Sequence, residues 1–194
     1  YPGISDAHIF DNGKRIIMRY PNYDKNTINA LVANIPNVSQ NGTPLPLENI
    51  QSLTGEVTSV AVSSQKDKAA YVVGTSNGST IYTIAQKGPI MVATSPFKEW
   101  NVSYGGDSLF VTSKASAYVE GATLSLPFFE SEIAEKTGLL SIPSPNNTLL
   151  NSMWSKRGLV TFFIDQVGTK ILPITTLAQK CAWGSGTYLA CAVP

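Results

Sequence analysis

The stretch FDNGKRII at residues 10–17 decides the fold of this chain, because its pattern returns along the sequence. An aromatic or apolar residue comes first, a turn of small or polar residues follows, and a β-rich run closes the unit. Further copies are YGGDSLF at 104–110, WSKRGLV at 154–160, WGSGTYL at 183–189 and, more loosely, VSSQKDKAA at 62–70. The anchors are therefore Phe10, Val62, Tyr104, Trp154 and Trp183. Most are spaced by about 40–50 residues, the length of a propeller blade, so the sequence predicts an all-β β-propeller.

Strand-like runs fill four units and begin a fifth. We expect one domain over residues 1–194, a propeller segment of about four blades plus a partial fifth, which is an open arc or a fragment of a larger propeller. In the run 56–62 the residues Val57, Val60 and Val62 do not share one face, which predicts a bulge or burial on both faces. Asn77-Gly78 predicts a type I′ hairpin turn with positive φ at both residues. Residues 127–138, with Pro127 first and Gly138 last, predict a short helix-like insert.

Composition narrows the class of protein. The chain has 194 residues, of which 43% are hydrophobic and only 14% are charged, and its net charge is +1. The charged fraction is well below the roughly 25% of an average domain, and Ser, Thr, Asn and Gly fill the polar positions. This charge offers no basic face for nucleic acid. No segment approaches the roughly 18 consecutive apolar residues of a membrane span.

The repeated unit resembles the WD-repeat-like propeller module of TolB-type proteins, whose hairpin usually reads Ser-Pro-Asp-Gly-Lys. The match is best at Phe10-Asp11-Asn12-Gly13-Lys14, while the other copies lack the Pro-Asp-Gly core. The segments 99–104 and 180–194 are similar to predicted propeller proteins of small uncultured bacteria. This resemblance implies a β-propeller and brings no catalytic residues with it.

Catalytic and metal-binding residue types are sparse. His8 is the one histidine, and without a second ligand at metal spacing a satisfied strand residue is the simpler interpretation. Asp11, Asp67 and Asp107 recur at turns, where Asp normally hydrogen-bonds its own backbone. These three carboxylates could bind a cation, or serve as catalytic groups at the mouth of the channel, only if they and Glu120 converge on one rim of the propeller.

Three further acids lie close together in the insert, at Glu130, Glu132 and Glu135. Propeller glycosidases use paired carboxylates, but a solvated acidic turn explains this cluster more simply. The sequence predicts no cofactor and no metal site.

The tryptophans and the cysteines each allow two structural interpretations. Trp100, Trp154 and Trp183 either pack between adjacent blades, which the repeat favours, or form a platform for carbohydrate or peptide. Cys181 and Cys191 lie on opposite arms of the last hairpin. A loop of about five residues would put them at disulfide range, whereas a two-residue turn would not, and two buried thiols are the other possibility.

These observations favour a non-enzymatic binding or scaffold domain outside the cytoplasm, in the cell envelope or at its surface. The expected partner is a protein or peptide ligand, or the remaining blades of a larger propeller. A propeller hydrolase with carboxylates at the channel mouth is the alternative, and a blade array that assembles with a partner chain is a third hypothesis.

Overall fold

The backbone is built almost entirely of antiparallel β-strands. The computed structural model describes residues 3–37, 45–63, 65, 67–127, 130–165, 168–184 and 188–193, with 130–135 described by their backbone alone. Within these ranges the chain forms eighteen strands and one turn of 3₁₀ helix. The chain divides into two compact units, Tyr1–Lys98 and Glu99–Pro194.

The first unit holds two four-stranded sheets in which each strand pairs with the next along the chain. The strands of the first sheet are β1 (Asp6–Phe10), β2 (Arg15–Asn22), β3 (Thr27–Asn34) and β4 (Glu48–Leu53). Those of the second are β5 (Glu56–Val62), β6 (Ala69–Thr75), β7 (Gly78–Ala85) and β8 (Gly88–Ser95). The central strands β3 and β6 carry runs of buried residues, because both of their faces are covered.

The second unit repeats this arrangement. One sheet contains β9 (Trp100–Gly105), β10 (Ser108–Ser113), β11 (Glu120–Leu126) and β12 (Glu130–Thr137). The next contains β13 (Leu140–Pro143), β14 (Leu149–Ser155), β15 (Gly158–Asp165) and β16 (Gly168–Ile171). The 3₁₀ turn Ala178–Lys180 leads into a two-stranded sheet of β17 (Cys181–Trp183) and β18 (Leu189–Cys191). The predicted all-β class, with four four-stranded units and a partial fifth, is confirmed.

The apolar residues of the first unit meet between its two sheets. Phe10 and Ile17 from the first sheet join Val57 and Tyr71 from the second in one buried cluster. The register of β5 against β6 shifts between Val57 and Ser59, which confirms the predicted bulge. Because of this extra residue, Val57 is fully buried while Val60 and Val62 still pack against the same core from partly buried positions.

Two arginines of β2 fasten the sheets of the first unit together. Arg15 lies over the ring of Phe10, 5.0 Å from its centroid, and donates from Nη1 to the carbonyl of Ala85 at 3.0 Å. Arg19 forms an ion pair with Asp6 and donates from Nη1 to the carbonyl of Thr58 at 2.8 Å. Asp6 therefore orients the Arg19 side chain that links the two sheets. The carboxylate of Asp6 thus has a structural role.

The hairpin predicted at Asn77-Gly78 exists, but its turn is shifted by one residue. Thr75 pairs with Gly78, so the two turn residues are Ser76 and Asn77. Gly78 has φ +144°, whereas Asn77 is not at positive φ, so the type I′ prediction is wrong. Two consecutive positive φ values occur instead at Asp11 and Asn12, where the Gly13 amide donates to the carbonyl of Phe10 at 3.2 Å.

The helix-like insert predicted over 127–138 is wrong, because residues 130–137 form strand β12. This strand pairs antiparallel with β11, from Ser125 opposite Glu130 to Glu120 opposite Thr137. A segment of this length is too short to be a stable helix by itself, while β11 offers a row of unpaired backbone groups. Pairing with β11 therefore prevails over the local helix signals of the sequence.

A buried chain of polar side chains joins the two four-stranded sheets of the second unit. Thr112 and Thr123 bond at 3.0 Å, Thr123 and Ser141 at 2.7 Å, and the Ser141 hydroxyl donates to Oδ1 of Asn151 at 2.6 Å. Each hydroxyl has one proton, so the donation by Ser141 requires Thr123 to donate to Ser141 and Thr112 to donate to Thr123. Nδ2 of Asn151 completes the chain by donating to the Leu149 carbonyl at 3.0 Å.

Candidate binding surface

A loop between β10 and β11 holds two exposed apolar side chains in a fixed turn. The Ser116 hydroxyl accepts hydrogen bonds from the amides of Tyr118 at 3.1 Å and Val119 at 3.0 Å. Such hydroxyl-to-backbone bonds define a serine turn and replace water at the loop backbone. The Tyr118 side chain is 97% exposed and that of Val119 is 67% exposed. The loop thus presents both to solvent from an ordered backbone.

The same loop is bonded to the segment that leads into β13. The Gly138 amide donates to the Ser116 carbonyl at 2.7 Å. Gly138 has φ +63°, and a β-carbon placed on it would lie 2.5 Å from Cδ1 of Trp154. The indole of Trp154 therefore lies directly against the Gly138 backbone, where only glycine leaves room for it. With 56% of its surface exposed, Trp154 still faces solvent.

Two cations follow Trp154 in the turn between β14 and β15. Ser155 pairs with Gly158, which makes Lys156 and Arg157 the turn residues, and both are exposed. The Ser155 hydroxyl accepts from the Arg157 amide at 3.1 Å and donates to the Gly158 carbonyl at 2.9 Å. We call Tyr118, Val119, Trp154, Lys156 and Arg157 the aromatic rim. Its members lie in two turns and at the end of β14, which are connected by contacts through Ser116 and Gly138.

The anchors of the repeat do not share one environment. Phe10 is buried, and Val62 and Tyr104 are partly buried. Trp100, which is not an anchor, is 4% exposed. Trp183 is partly buried, with its ring centroid 5.7 Å from that of Phe163 and its Nε1 3.4 Å from the Ile142 carbonyl.

Trp154 contradicts the prediction of packing between blades. On β14 the side chain of Ser152 points to the same face, where the Ala178 amide donates to its hydroxyl at 2.9 Å. Trp154 lies one step further along this face, at the end of the strand, and its exposed fraction of 56% shows that it is left uncovered there. The sequence did not single out Tyr118 or Val119, whose one local signal is the run of small and polar residues around Ser116 that is typical of a turn. It placed Lys156 and Arg157 in a repeated turn but gave them no binding role.

The two cysteines face each other in the last hairpin. Trp183 pairs with Leu189, so the loop contains the five residues 184–188, and Cys181 lies opposite Cys191. Their sulfur atoms are 2.09 Å apart and form a disulfide. The Thr176 hydroxyl donates to the Ala192 carbonyl at 2.7 Å, which ties the end of this hairpin to the segment before it.

The aspartates and the glutamate that the sequence indicated as candidates lie on different elements of the fold. Asp67 accepts from the Ser63 hydroxyl at 2.6 Å, and this bond is the main reason that the pKa of its carboxyl is lowered. Asp11 lines a depression of about 570 Å³ with Lys14, Arg15 and Glu48 among its neighbours. In the second unit Asp107 lies in the β9–β10 turn, while Glu120 begins β11 at the opposite end of the sheet. These two acids therefore do not converge.

Where the structure describes them, the remaining candidate residues form no recognisable catalytic or metal-binding site. His8 is a partly buried residue of β1, opposite Ile17 of β2. The side chains of Glu130, Glu132 and Glu135 lie outside the described residues. Across the described ranges, no three His, Cys, Asp or Glu side chains are placed to hold a metal ion. No helix in the described part of the chain is long and apolar enough to cross a membrane.

A small polar cleft of about 180 Å³ lies beside the buried polar chain of the second unit. Asn101 and Ser103 of β9, Thr112 of β10, Ser141 of β13 and Gln179 line it together with apolar neighbours. Thr112 and Ser141 are already bonded within the polar chain, so the cleft offers mainly amide groups to a molecule that enters it.

Comparison with known proteins identifies the fold. No protein-family model matches the chain, and no curated protein matches its sequence. Among solved structures, the β-propeller domain of the Trilobed protease from Pyrococcus furiosus superposes with a TM-score of 0.61 at 9% identity, over 90% of this chain and 57% of that one. The fold is that of a β-propeller. The sequence prediction of a propeller is thereby confirmed, while the TolB-type resemblance stays a hypothesis.

Two other propellers support the same assignment. An acylaminoacyl peptidase in complex with a chloromethyl ketone has a TM-score of 0.60 at 10% identity, and covers 88% of this chain but 32% of its own. The Dos1 propeller has a TM-score of 0.55 at 10% identity, over 90% of this chain and 47% of that one. The chain thus spans between about one third and three fifths of these proteins. At such identities the likeness concerns the fold alone.

Proposed function

We propose that this chain is a non-enzymatic binding or scaffold part of a β-propeller, displayed outside the cytoplasm. The observation that carries the proposal is the aromatic rim, in which the side chains of Tyr118 and Trp154 are exposed. Tyr118 lies in a turn held by the Ser116 hydroxyl, and Trp154 lies at the end of β14 next to a turn held by the Ser155 hydroxyl. Exposed aromatic side chains on a rigid backbone lose little conformational entropy when they bind. Tyr, Trp and Arg are also the residue types that contribute most to interface affinity.

Site-specific photo-crosslinking tests the binding role. A benzoylphenylalanine at position 118, in the full chain expressed in its native cells, should crosslink to a discrete partner protein. Tyr23 is the matched control, because it is an aromatic residue with 78% exposure in the first unit. Crosslinking from position 118 but not from position 23 supports the proposal. Equal labelling from both positions, or none from 118, contradicts it.

A propeller hydrolase is the competing hypothesis. The similarity to an acylaminoacyl peptidase motivates it, although that protein is more than three times the length of the shared region. Asp107 and Glu120 are the two carboxylates of the second unit that the sequence indicated for the channel mouth, but they lie at opposite ends of a sheet. Turnover of an ester, peptide or glycoside substrate that is lost in Asp107→Asn or Glu120→Gln, with the fold intact, would establish the enzyme and refute the scaffold.

The cysteine pair supports a location outside the cytoplasm. Structural disulfides persist in oxidising compartments and are rare in the cytosol, and Cys181 and Cys191 are at bonding distance. Alkylation of the protein in intact native cells, followed by mass spectrometry, should label neither cysteine before reduction and both cysteines after it. Labelling of both without reduction would contradict the proposed location.

A further inference from the structure

We propose that the aromatic rim binds an acidic polypeptide segment that also carries apolar or aromatic side chains. This inference rests on the proposed binding function and names the class of partner. The rim combines two kinds of recognition within one contiguous surface. Tyr118, Val119 and Trp154 supply exposed apolar area, and Lys156 and Arg157 supply positive charge next to it.

The charges around the rim favour an anionic partner. Lys114, at the base of the Tyr118 loop, is paired with Glu99 at 2.9 Å and adds no net charge. Lys136 of β12 lies opposite Gly121 of β11, close to the Gly138 junction, and Glu120 is the acid beside it. Among the side chains that the structure describes here, Lys136, Lys156 and Arg157 outnumber Glu120, although the whole chain carries only +1. The positive charge is therefore concentrated locally, which selects for carboxylates by complementarity.

The geometry suits a polypeptide better than other anions. Arg157 can bind a carboxylate through two parallel hydrogen bonds, and Trp154 can stack against an aromatic or aliphatic side chain. Nucleic acid requires many phosphate contacts over a basic face, which a chain with net charge +1 does not provide. A neutral sugar would use the rings but would gain nothing from the two cations. A short acidic segment with an apolar residue uses both groups at once.

A random copolymer of glutamate and tyrosine serves as the probe. Its binding to the full chain is followed by fluorescence anisotropy at low ionic strength, with poly-glutamate and phosphatidylglycerol vesicles measured in parallel. We expect the copolymer to bind more tightly than poly-glutamate, because tyrosine adds contacts to Trp154 and Tyr118. Affinity should fall as salt is added, because the charges are exposed.

Three variants assign the binding to the rim. The double variant Lys156→Glu/Arg157→Glu should weaken copolymer binding by about tenfold or more, since it replaces attraction by repulsion. Trp154→Ala should weaken it by about fivefold or more, because an exposed aromatic anchor is lost. Lys170→Glu is the matched control, because Lys170 is exposed on β16 away from the rim turns, and it should change affinity by less than about twofold. Circular dichroism melts show whether each variant is folded.

Three results would overturn the inference. One is no copolymer binding by the native chain. Another is an equal loss in Lys170→Glu, which would indicate unspecific attraction. The third is binding of the vesicles through the rim residues without binding of the copolymer, which would make the partner a lipid surface. If position 118 still crosslinks to a protein in cells, the proposed binding function stands and only the acidic character of the partner is refuted.

Discussion

At the scale of single residues, serine hydroxyls hold many of the turns of this chain. Ser63 accepts from the amides of Asp67 and Lys68, and Ser144 accepts from those of Asn146 and Thr148. Ser116 and Ser155 do the same at the aromatic rim. These bonds account for part of the serine content of the chain, because each hydroxyl satisfies backbone donors of its own loop.

Removing the exposed indole should barely affect stability. Trp154→Ala should lower the free energy of unfolding by about 1 kcal/mol or less, because more than half of the side chain is already in water. Phe10→Ala, at a 1% exposed core residue, should cost about 3–5 kcal/mol. Urea denaturation of both variants measures the difference. Similar losses in the two would mean that Trp154 is a core residue and that the rim does not exist.

Substitutions at Gly78 and Gly168 distinguish the cost of backbone strain from the cost of a steric clash. Their φ values are +144° and +138°. A β-carbon at Gly78 would lie 2.0 Å from the Ser95 carbonyl oxygen, while one at Gly168 meets nothing within 4 Å. Gly168→Ala should therefore cost on the order of 1–3 kcal/mol from φ alone. Gly78→Ala should cost clearly more, and Gly78→Val more again. Equal losses for the two alanine variants, by thermal or urea unfolding, would refute the close approach of Ser95.

At the scale of elements, pairs across strands carry the specificity of the sheets. Tyr71 of β6 lies opposite Tyr82 of β7, and their rings stack with centroids 5.1 Å apart. Burial, with a smaller contribution from Tyr82, raises the pKa of Tyr71 to about 12. The folded state therefore holds the phenol proton to a higher pH than the unfolded chain does.

This raised pKa predicts alkaline destabilisation. The stability associated with Tyr71 is fully present below the unfolded pKa of 10.0 and is lost as the pH rises through the folded pKa of about 12. Between about pH 9 and pH 11, the native chain should lose about 1 kcal/mol more than Tyr71→Phe does. Tyr23→Phe, at an exposed position, is the control and should follow the native chain. An identical pH profile for native and Tyr71→Phe would show that this phenol ionises freely.

The polar chain between the two sheets of the second unit makes a further prediction. Asn151→Ala removes a fully buried side chain and leaves the partly buried Ser141 hydroxyl without its acceptor. The free energy of unfolding should fall by about 1–3 kcal/mol. Asn146→Ala, in an exposed turn, should change it by less than about 0.5 kcal/mol. Chemical denaturation of the two variants decides whether this chain of hydrogen bonds matters to the fold.

At the scale of the whole molecule, the chain repeats one supersecondary unit, a four-stranded antiparallel sheet. Each of the two compact units contains two such sheets, with an apolar cluster around Phe10 in the first and around Phe110 in the second. In these sheets each strand pairs with the next strand along the chain, so that neighbouring elements contact each other as in repeat proteins generally. The open arc and the single domain expected from the sequence stay predictions.

Self-association tests the open arc. In the described residues the last sheet has two strands, β17 and β18, and unpaired strand edges pair with whatever strand is available. Static light scattering of the purified chain should therefore show an apparent mass that grows with concentration. A strictly monomeric and protease-resistant species at high concentration would argue for a small closed propeller instead.

The sequence by itself determined the all-β class, the division into about four blade-like units with a partial fifth, and the bulge at Val57. These features depend on alternation and turn residues over a few neighbouring positions, so they can be read without knowing the fold. The turn at Gly78 was predicted one residue off, because the Ser95 carbonyl that requires glycine there is 17 residues away in sequence.

Only the tertiary structure decided the features that join distant residues. Residues 130–137 form a strand because β11 lies beside them, although their composition suggests a helix. Trp154 is exposed while Trp100 is buried, although both are aromatic residues that the sequence predicted to pack between blades. The aromatic rim exists because Ser116 and Gly138, from two different loops, meet Trp154 at the end of β14. Contacts between residues so far apart in sequence leave no local pattern, so no reading of the sequence alone could have found this surface.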